Sequence, residues 1–501
     1  MKTESIWQQA NEAARPVFSG RKKVQTAVIG GGMAGILTAF SLKEAGREAL
    51  VLEAARIGSG QTGRTTAKIT AQHGACYDRL IRELGEEKAG LYAAANRRAI
   101  EEYRRLVREK HIDCGWRECA AVCYSTENGD RMRAEAQAEQ RLGFDASYVT
   151  ETELPFPVEG AVRMEGQACF SPLRFLFSLA RELEIYENTP VKKVERLENG
   201  NTLLHVPDGC VEAEQVVFAT HFPMLKLPGL YFARLYQERS YVLALQGART
   251  VENMYIGAEQ NSWSVRSVKG EAGGKELLLL GGAGHRTGGS TGGRYEVLQE
   301  AARRFWPDSL ETARWSAQDC MTLDQVPYIG KLSSSCADWY VAAGFGKWGM
   351  SHSMAAARLL TDLTAGVKNP WEEVYTPRRF GGEAAAALCR NAGCTVKGLA
   401  GKRDREKKKR AEDILPGEGG IIESGEGRIG VYRDQDGRLY PVRIRCPHLG
   451  CELAWNPDEK SWDCPCHGSR FGYDGRVLDG PAAESISIGQ KSQDGGFGQD
   501  R

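Results

Sequence analysis

A chain of 501 residues is too long for a single hydrophobic core, so roughly two to four domains are expected. Its hydrophobic content of 42%, charged content of 26% and net charge of +1 describe an ordinary globular protein, with no reason to expect nucleic acid or an anionic membrane as partner. The first residues contain no apolar signal-peptide core, and no later segment holds about 18 consecutive apolar residues, so we expect a cytoplasmic protein without a membrane span.

The first predicted elements form a strand–turn–helix–strand unit. Residues 24–29 are a short β-type run that leads directly into the glycine-rich turn 30–35, and a helical pattern follows over 36–45. A second strand is predicted at 49–52. This order is typical of the first unit of a doubly wound α/β domain that binds a nucleotide.

The spacing of the glycines in this turn gives each of them a separate task. Gly30 makes the tight turn, Gly32 lets a pyrophosphate approach the backbone, and Gly35 permits close packing of helix on strand. Glu53, at the end of the second strand, can accept hydrogen bonds from ribose hydroxyls. The pattern does not separate FAD from NAD, and a glycine-rich turn without a ligand is the alternative.

Several later segments resemble the flavoproteins of the D-amino-acid oxidase-like (DAO) family, and they occur in the family's order. In that family the segment here at 58–67 runs along the cofactor, and the one at 216–220 returns as a strand near the nucleotide. The segments at 324–330 and 339–350 lead into a helix, here 353–363, that points at the flavin ring. The resemblance covers roughly residues 24–368.

The resemblance implies FAD as cofactor and a two-domain α/β flavoprotein over residues 1–378. A Rossmann-like FAD-binding domain would be interleaved with a substrate domain built on a mixed sheet. Besides the first glycine turn and Glu53, the resemblance implies cofactor contacts from residues in the later segments, namely Arg64, Thr65, Thr66, Ala219, Gly330, Gly344, Gly346 and Gly349.

A second glycine-rich run, 277–284, also follows a strand-like stretch. Thr287 stands where a third glycine would be needed, and the glycines of 288–293 delay the next helix. We therefore interpret this run as a loop of the substrate-side domain and expect no separate NAD(P)H site.

Residues 379–412 are predicted to be a charged linker, because they include the strongly basic run 401–410. Binding of an acidic partner by this run is the alternative interpretation. From 413 to 501 the pattern changes to short β segments, and the pair Asp436-Gly437 predicts a hairpin. A small all-β domain is expected there.

Four residues of this last region, Cys446, His448, Cys464 and His467, form the pattern Cys-x-His-x15-Cys-x-x-His. Each half brings one thiolate and one imidazole to the same point. A [2Fe–2S] centre of the Rieske type needs this supply, two cysteines for one iron and two histidines for the other. A zinc site is the alternative, although zinc fingers usually pair Cys with Cys and His with His.

The local sequences 446–451 and 464–469 closely resemble Rieske domains, which implies a [2Fe–2S] cluster on these four ligands. In respiratory-type Rieske proteins the cysteines at the positions of Cys451 and Cys466 form a disulfide. The resemblance therefore implies the same bond here, although a cytoplasmic location argues against disulfides in general.

Candidate catalytic residues rest on their place beside the expected flavin. His73 follows the flavin-side loop, residues 58–67, and could position substrate or bind the flavin, and a buried structural histidine is the alternative. Lys347 lies in the C-terminal glycine turn, where a cation would stabilise reduced flavin, unless it is a solvated surface lysine. Cys320 occupies the position of covalent flavin attachment in monomeric sarcosine oxidases of this family, but non-covalent FAD is favoured.

The whole chain thus resembles a DAO-type FAD oxidoreductase fused to a Rieske domain. We expect a small-molecule substrate, an amine or amino acid, to reduce the flavin, and electrons to pass singly through the cluster to an external, ferredoxin-like protein. Two alternatives remain, a reductase with the opposite electron flow and a redox-sensing or docking module. A Rieske oxygenase would need a 2-His-1-carboxylate iron site, and the histidines outside the cluster motif are dispersed.

Overall fold

The computed structural model describes residues 3–9, 12–225, 228–269, 274–379, 410–425 and 427–488. The chain divides into two compact units. The first comprises the described residues up to His285 and from Arg294 to Arg379, and the second comprises Arg286–Gly293 and the described residues from Arg410 onward. The predicted linker lies almost entirely outside the described residues, so its extent and the domain boundaries stay a prediction.

The strands that begin in the first unit are, in chain order, β1 (Gly20–Ile29), β2 (Ala49–Leu52), β3 (Lys68–Ile69), β4 (Arg117–Ser125), β5 (Ala146–Val149), β6 (Gly160–Cys169), β7 (Glu184–Tyr186), β8 (Lys193–Arg196), β9 (Thr202–Val206), β10 (Gly209–Phe218), β11 (Leu235–Gln246), β12 (Met254–Gly257), β13 (Ser264–Val268), β14 (Leu277–Arg286), β15 (Leu310–Thr322), β16 (Tyr328–Ser333) and β17 (Cys336–Ala343).

The described helices of the first unit are α1 (Met33–Glu44), α2 (Tyr77–Leu84), α3 (Glu86–Glu109), α4 (Gly129–Arg141), α5 (Pro172–Ala180), α6 (Tyr231–Arg234), α7 (Arg294–Phe305), α8 (Gly349–Thr364) and α9 (Glu372–Tyr375). Among the described residues, no helix has the length and apolar character that crossing a bilayer requires.

An eight-stranded sheet in the order β16-β17-β10-β1-β2-β7 is the frame of the first unit, with β9 paired to β10 and β8 paired to β9. The strands from β17 to β7 in this order run parallel, so their carboxyl ends meet at one edge. Helices α1 and α8 pack together, and residues 33–42 of α1 are all buried. The predicted strands 24–29 and 49–52 and the helix between them are thereby confirmed.

A nine-stranded sheet in the order β15-β11-β14-β13-β12-β4-β6-β3, with β5 beside β6, completes the first unit. Strand β14 contains the second glycine-rich run and pairs antiparallel with β13. The interpretation of 277–284 as a loop is therefore wrong, because these residues form a strand that is hydrogen-bonded within the sheet. An antiparallel partner also excludes the parallel βαβ geometry that a dinucleotide site requires there.

The second unit is built from short antiparallel strands, as expected for an all-β domain. The strands are β18 (Gly419–Ser424), β19 (Gly427–Arg433), β20 (Leu439–Arg443), β21 (Ala454–Asn456), β22 (Ser461–Asp463), β23 (Arg470–Gly472) and β24 (Val477–Asp479). One sheet has the order β18-β19-β20 and the other β21-β22-β23-β24. The predicted hairpin at Asp436-Gly437 joins β19 to β20, where Gly437 has a φ of +84° that favours glycine.

A buried ion network ties the four-stranded sheet together. The Arg470 guanidinium, 2% exposed, donates to Asp463 Oδ1 at 3.0 Å, to Asp479 Oδ2 at 2.9 Å and to Ser461 Oγ at 3.1 Å. Glu459 adds a further carboxylate at 3.5 Å. Because the charge is removed from water, its desolvation cost is offset only while these partners are in place.

We expect Arg470→Ala to lower the free energy of unfolding of the second unit by about 3–5 kcal/mol, since it leaves buried carboxylates without a counter-charge. Urea denaturation followed by cluster absorbance measures this loss. Arg476→Ala is the control, because that side chain is 72% exposed and its carboxylate partner is 3.7 Å away. Equal unfolding midpoints for the two variants would show that the network adds nothing to stability.

Candidate cofactor and cluster sites

The carboxyl edge of the parallel sheet brings together four of the predicted cofactor-binding residues. Gly30 follows β1, Glu53 follows β2, Ala219 follows β10 and Gly344 follows β17. The Glu53 carboxylate accepts hydrogen bonds from the backbone N–H groups of Gly31 and Ala55 at 2.6 and 2.8 Å. Burial raises the pKa of Glu53, against the effect of these N–H groups.

The three predicted cofactor-binding glycines of the first turn differ in what surrounds them. A Cβ on Gly30 would lie 2.4 Å from the Ala219 carbonyl oxygen, and one on Gly35 would lie 1.8 Å from that of Gly30. At Gly32 a Cβ would approach only Thr62 Oγ1, at 3.4 Å. Gly30 and Gly35 therefore serve backbone packing, whereas Gly32 borders an open cradle at the N-terminus of α1, which fits a bound pyrophosphate.

The flavin-side loop, residues 58–67, is held over 64–67 by donors from elsewhere in the first unit. Its carbonyl oxygens accept hydrogen bonds from the indole N–H groups of Trp315 and Trp7 and from the Arg266 guanidinium, at distances from 2.5 to 2.8 Å. This loop includes the predicted residues Arg64, Thr65 and Thr66, whose backbone is thus fixed in place.

The C-terminal flavin motif is a turn between β17 and α8. Gly344 has a φ of +74°, and a Cβ there would lie 2.4 Å from Thr322 Cγ2, so this position requires glycine. Gly346 also has a positive φ, and Gly349 is the first residue of α8. Gly330 lies apart from them in β16, beside Pro377. The first turn of α8 presents free backbone N–H groups, as the flavin motif requires.

His73 is buried beneath this turn. Its Nε2 lies 2.9 Å from the Thr70 carbonyl oxygen and 2.8 Å from Ser351 Oγ, and its ring stacks on Trp348 at 4.9 Å. Since a carbonyl only accepts, Nε2 carries the proton, and Nδ1 accepts from the Tyr92 hydroxyl at 2.6 Å. Burial lowers the pKa of His73 to about 3, so the ring is neutral at physiological pH.

The same tyrosine connects a second buried histidine. Tyr92, in α3, lies 3.2 Å from His352 Nε2 and stacks on Tyr375. His352 belongs to the first turn of α8, and burial lowers its pKa well below the usual range. The network therefore ties the start of α8 to α3. A direct catalytic role of His73 stays a prediction.

Lys347 belongs to the turn itself and carries its charge next to carboxylates. Its Nζ lies 3.4 Å from Glu238 Oε2, and its side chain is 41% exposed. Burial raises the pKa of the nearby Asp319 to about 6, and Lys347 acts in the opposite direction. Lys347 is thus a partly buried cation, and its action on the flavin stays a prediction.

Cys320, the position considered for covalent attachment, is a free thiol that is 2% exposed. Burial raises its pKa to about 12. A protonated, buried thiol is a poor nucleophile, which agrees with non-covalent FAD.

A buried arginine of the substrate-side sheet was missed by the sequence analysis. The Arg239 guanidinium, 0% exposed, donates to Gln318 Oε1 at 3.3 Å and to Ser316 Oγ. The Gln318 backbone N–H donates to Gln61 Oε1 at 2.7 Å, at the start of the flavin-side loop. The strand pattern of 235–246, which places Arg239 on the same face as apolar residues, was the available signal.

The four predicted cluster ligands meet in the second unit. Cys446 and Cys464 are 2% and 0% exposed, and their thiols share a hydrogen bond. The rings of His448 and His467 lie 4.9 Å apart between centroids, at 88° to each other. Two thiols and two imidazoles therefore converge from two loops, and this donor set fits a [2Fe–2S] cluster.

The two loops have matching backbones. The N–H of Cys446 donates to the Cys451 carbonyl at 2.9 Å, and the N–H of Cys464 donates to the Ser469 carbonyl at 2.8 Å. In each loop a glycine four residues after the cysteine, Gly450 or Gly468, has a φ of +79°. This shared turn brings each cysteine close to the histidine that follows it.

Hydrogen bonds within these loops favour a thiolate at the site. A hydrogen bond from the Cys464 thiol lowers the pKa of Cys446 and raises that of Cys464, and the backbone N–H of His448 and the Ser469 hydroxyl further lower the pKa of Cys446. Ser469 Oγ also accepts from the N–H of Ala482 at 3.0 Å. Thiolates are the form that binds iron.

A disulfide between Cys451 and Cys466 links the two loops. The bond implied by the family resemblance is thereby confirmed. Both sulfurs lie within 4.8 Å of the sulfur of Cys464. As partners in a disulfide they are removed from the set of possible metal ligands.

The first unit has a glycine cradle at the carboxyl edge of a parallel sheet, and the second unit has a site of two cysteines and two histidines. Together these features define a flavoprotein oxidoreductase with an iron–sulfur domain. Residues 25–363 match the family model described as FAD dependent oxidoreductase (DAO), and residues 406–489 match the Rieske [2Fe-2S] domain. The chain belongs to the DAO family of FAD-dependent oxidoreductases and carries a C-terminal Rieske domain. Its cofactors are FAD and a [2Fe–2S] cluster, as predicted.

Known proteins support both parts. The Bacillus subtilis protein named "Putative Rieske 2Fe-2S iron-sulfur protein YhfW" is 36% identical over 499 residues, which cover 96% of this chain and 97% of that protein. Glycine oxidase from Geobacillus kaustophilus aligns with a TM-score of 0.60 at 19% identity, over 72% of this chain and 100% of its own. L-proline dehydrogenase from P. horikoshii has the same TM-score and identity, over 72% and 98%. These two structures confirm the predicted flavoprotein fold.

We expect Gly32→Val to abolish FAD binding and leave the cluster in place, because the new side chain would fill the cradle without striking the backbone. Flavin and acid-labile sulfide contents of the purified variant measure this. Gly90→Val, in α3 and outside the predicted cofactor segments, is the control, since a Cβ there meets nothing within 4 Å. Retention of FAD by the Gly32 variant would contradict the proposed role of this glycine.

Proposed function

We propose that this protein oxidises a small amino acid and passes the electrons one at a time through the cluster to an external electron-acceptor protein. When bound, FAD accepts an electron pair, whereas a Rieske cluster carries one electron at a time. The observation that carries the proposal is the presence of both groups on one chain. The structural neighbours named glycine oxidase and L-proline dehydrogenase support an amino acid as substrate.

We assign the cluster ligands accordingly, with Cys446 and Cys464 on one iron and His448 and His467 on the other. The burial of both cysteines keeps water away from the thiolates. The Ser469 hydroxyl, hydrogen-bonded to Cys446, stabilises negative charge on that sulfur. This chain's residues thus provide the thiolates, exclude solvent and supply a donor.

Arg239 supports the choice of a substrate that carries a carboxylate. Its guanidinium is buried in the substrate-side sheet, and Gln318 connects it to the flavin-side loop through Gln61. A guanidinium binds a carboxylate through two parallel hydrogen bonds, and such a pair is strong when water is excluded. We propose that Arg239 binds the substrate carboxylate and orients the substrate.

We expect anaerobic bleaching of the flavin by one or more amino acids of a panel, and not by the amines that lack the carboxylate. Arg239→Gln should lower the second-order rate constant of bleaching at least about 100-fold, because loss of one partner of a buried charge pair costs about 2–5 kcal/mol. Arg239→Lys, which keeps the charge, should retain more activity. Equal rates for amino acid and amine in the wild type would refute the carboxylate contact.

The electron route is tested by His467→Ala. This variant should lose the cluster spectrum and keep substrate-driven flavin bleaching, but fail to reduce a purified ferredoxin used as the one-electron acceptor. His205→Ala, which changes a half-buried histidine of the first unit, is the control. Ferredoxin reduction by the His467 variant at the wild-type rate would overturn the route through the cluster. Flavin bleaching by reduced ferredoxin, but by no compound of the panel, would indicate the opposite direction.

A further inference from the structure

The segment Arg286–Gly293 belongs to the second unit, although the other described residues of that unit begin only at Arg410. The glycine pattern of the sequence does not by itself indicate this placement of residues 286–293. Thr287 and Ser290 are 1% and 8% exposed, so the segment is packed rather than loosely attached.

The segment contacts one of the cluster loops at close range. A Cβ on Gly288 would lie 2.7 Å from both the N and Cα of Pro465, the residue between Cys464 and Cys466. A Cβ on Gly292 would lie 2.7 Å from Pro457 Cγ, and the N–H of Gly293 donates to Asp458 Oδ1 at 3.1 Å. At Gly288 the lack of a side chain is thus required by the close approach of the Pro465 backbone.

The two imidazoles of the site differ in exposure. His467 is 1% exposed, whereas His448 is half-buried. Arg286 stands two residues before Gly288, so the contact of Gly288 with Pro465 brings Arg286 to the loop that carries Cys464 and His467. A permanent positive charge is therefore attached to the segment beside this loop.

We propose that Arg286–Gly293 is an integral part of the cluster site, where it covers the His467 side and uses the Arg286 charge to raise the reduction potential of the cluster. The oxidised cluster, with two ferric ions, two sulfides, two thiolates and two neutral imidazoles, is formally neutral. Uptake of one electron gives it one negative charge. Burial alone disfavours that charge, and a nearby guanidinium stabilises it.

The charge is tested by Arg286→Gln in the full-length protein, with the cluster reduced by dithionite and its potential read from a redox titration of the EPR signal. We expect the equilibrium constant for reduction to fall about tenfold, which for a one-electron couple is about 59 mV. Arg286→Lys should keep the wild-type potential, and so should Arg476→Gln, which removes an exposed charge of the same unit. An unchanged potential in Arg286→Gln would overturn the proposal.

The cover is tested by a pair of glycine variants. Gly288 and Gly293 have similar φ values of +76° and +82°, so alanine imposes similar backbone strain at each. Only at Gly288 does the new Cβ strike the cluster loop, whereas at Gly293 nothing lies within 4 Å. Gly288→Ala should therefore displace the segment and lower the potential, with Gly293→Ala near wild type. Equal potentials in the two variants would show that the segment does not act on the cluster.

These measurements need neither substrate nor flavin turnover. Failure of the proposed amino-acid oxidation would leave them unaffected, and an unchanged potential would leave that function standing. The two proposals can thus be refuted separately.

Discussion

The second unit depends on a single buried guanidinium. Asp463 directly precedes Cys464, and Arg470 directly follows Ser469, so the loop that carries Cys464 and His467 leaves and returns to the same ion pair. Isolated burial of this charge would cost several kcal/mol, and the surrounding carboxylates offset that cost only in the folded arrangement. The geometry of one cysteine and one histidine ligand is therefore coupled to the folding of the whole sheet.

The first unit depends on a different constraint, namely that two residues, one after the end of β1 and one in the first turn of α1, are glycines without a side chain. Gly30 and Gly35 permit contacts with backbone carbonyls that a Cβ would block, and these contacts bring α1 onto the parallel sheet. The start of α8 is held by hydrogen bonds through His73 and Tyr92 instead. Burial keeps His73 uncharged at physiological pH, so the polar network holds the turn without adding a positive charge to it.

Local patterns predicted those parts of the molecule in which neighbouring residues decide the structure. The βαβ unit ending at Glu53, the hairpin at Asp436-Gly437 and the two cluster loops are of this kind. Arg239 was missed because its burial depends on the pairing of β11 with β15, where it lies opposite Gln318, 79 residues further along. The contact of 286–293 with the loop that carries Pro465 was not predicted for the same reason, since a glycine run does not reveal which distant backbone approaches it.

The disulfide between the cluster loops has a consequence for metal selectivity during assembly of the site. If Cys451 and Cys466 were reduced, their sulfurs and that of Cys464 would form a group of three thiols within 4.8 Å of one another. Clustered thiolates attract zinc and copper(I) strongly, at the expense of the mixed sulfur and nitrogen set of a Rieske centre. Because the disulfide occupies two of these sulfurs, the site without its cluster binds zinc and copper(I) more weakly.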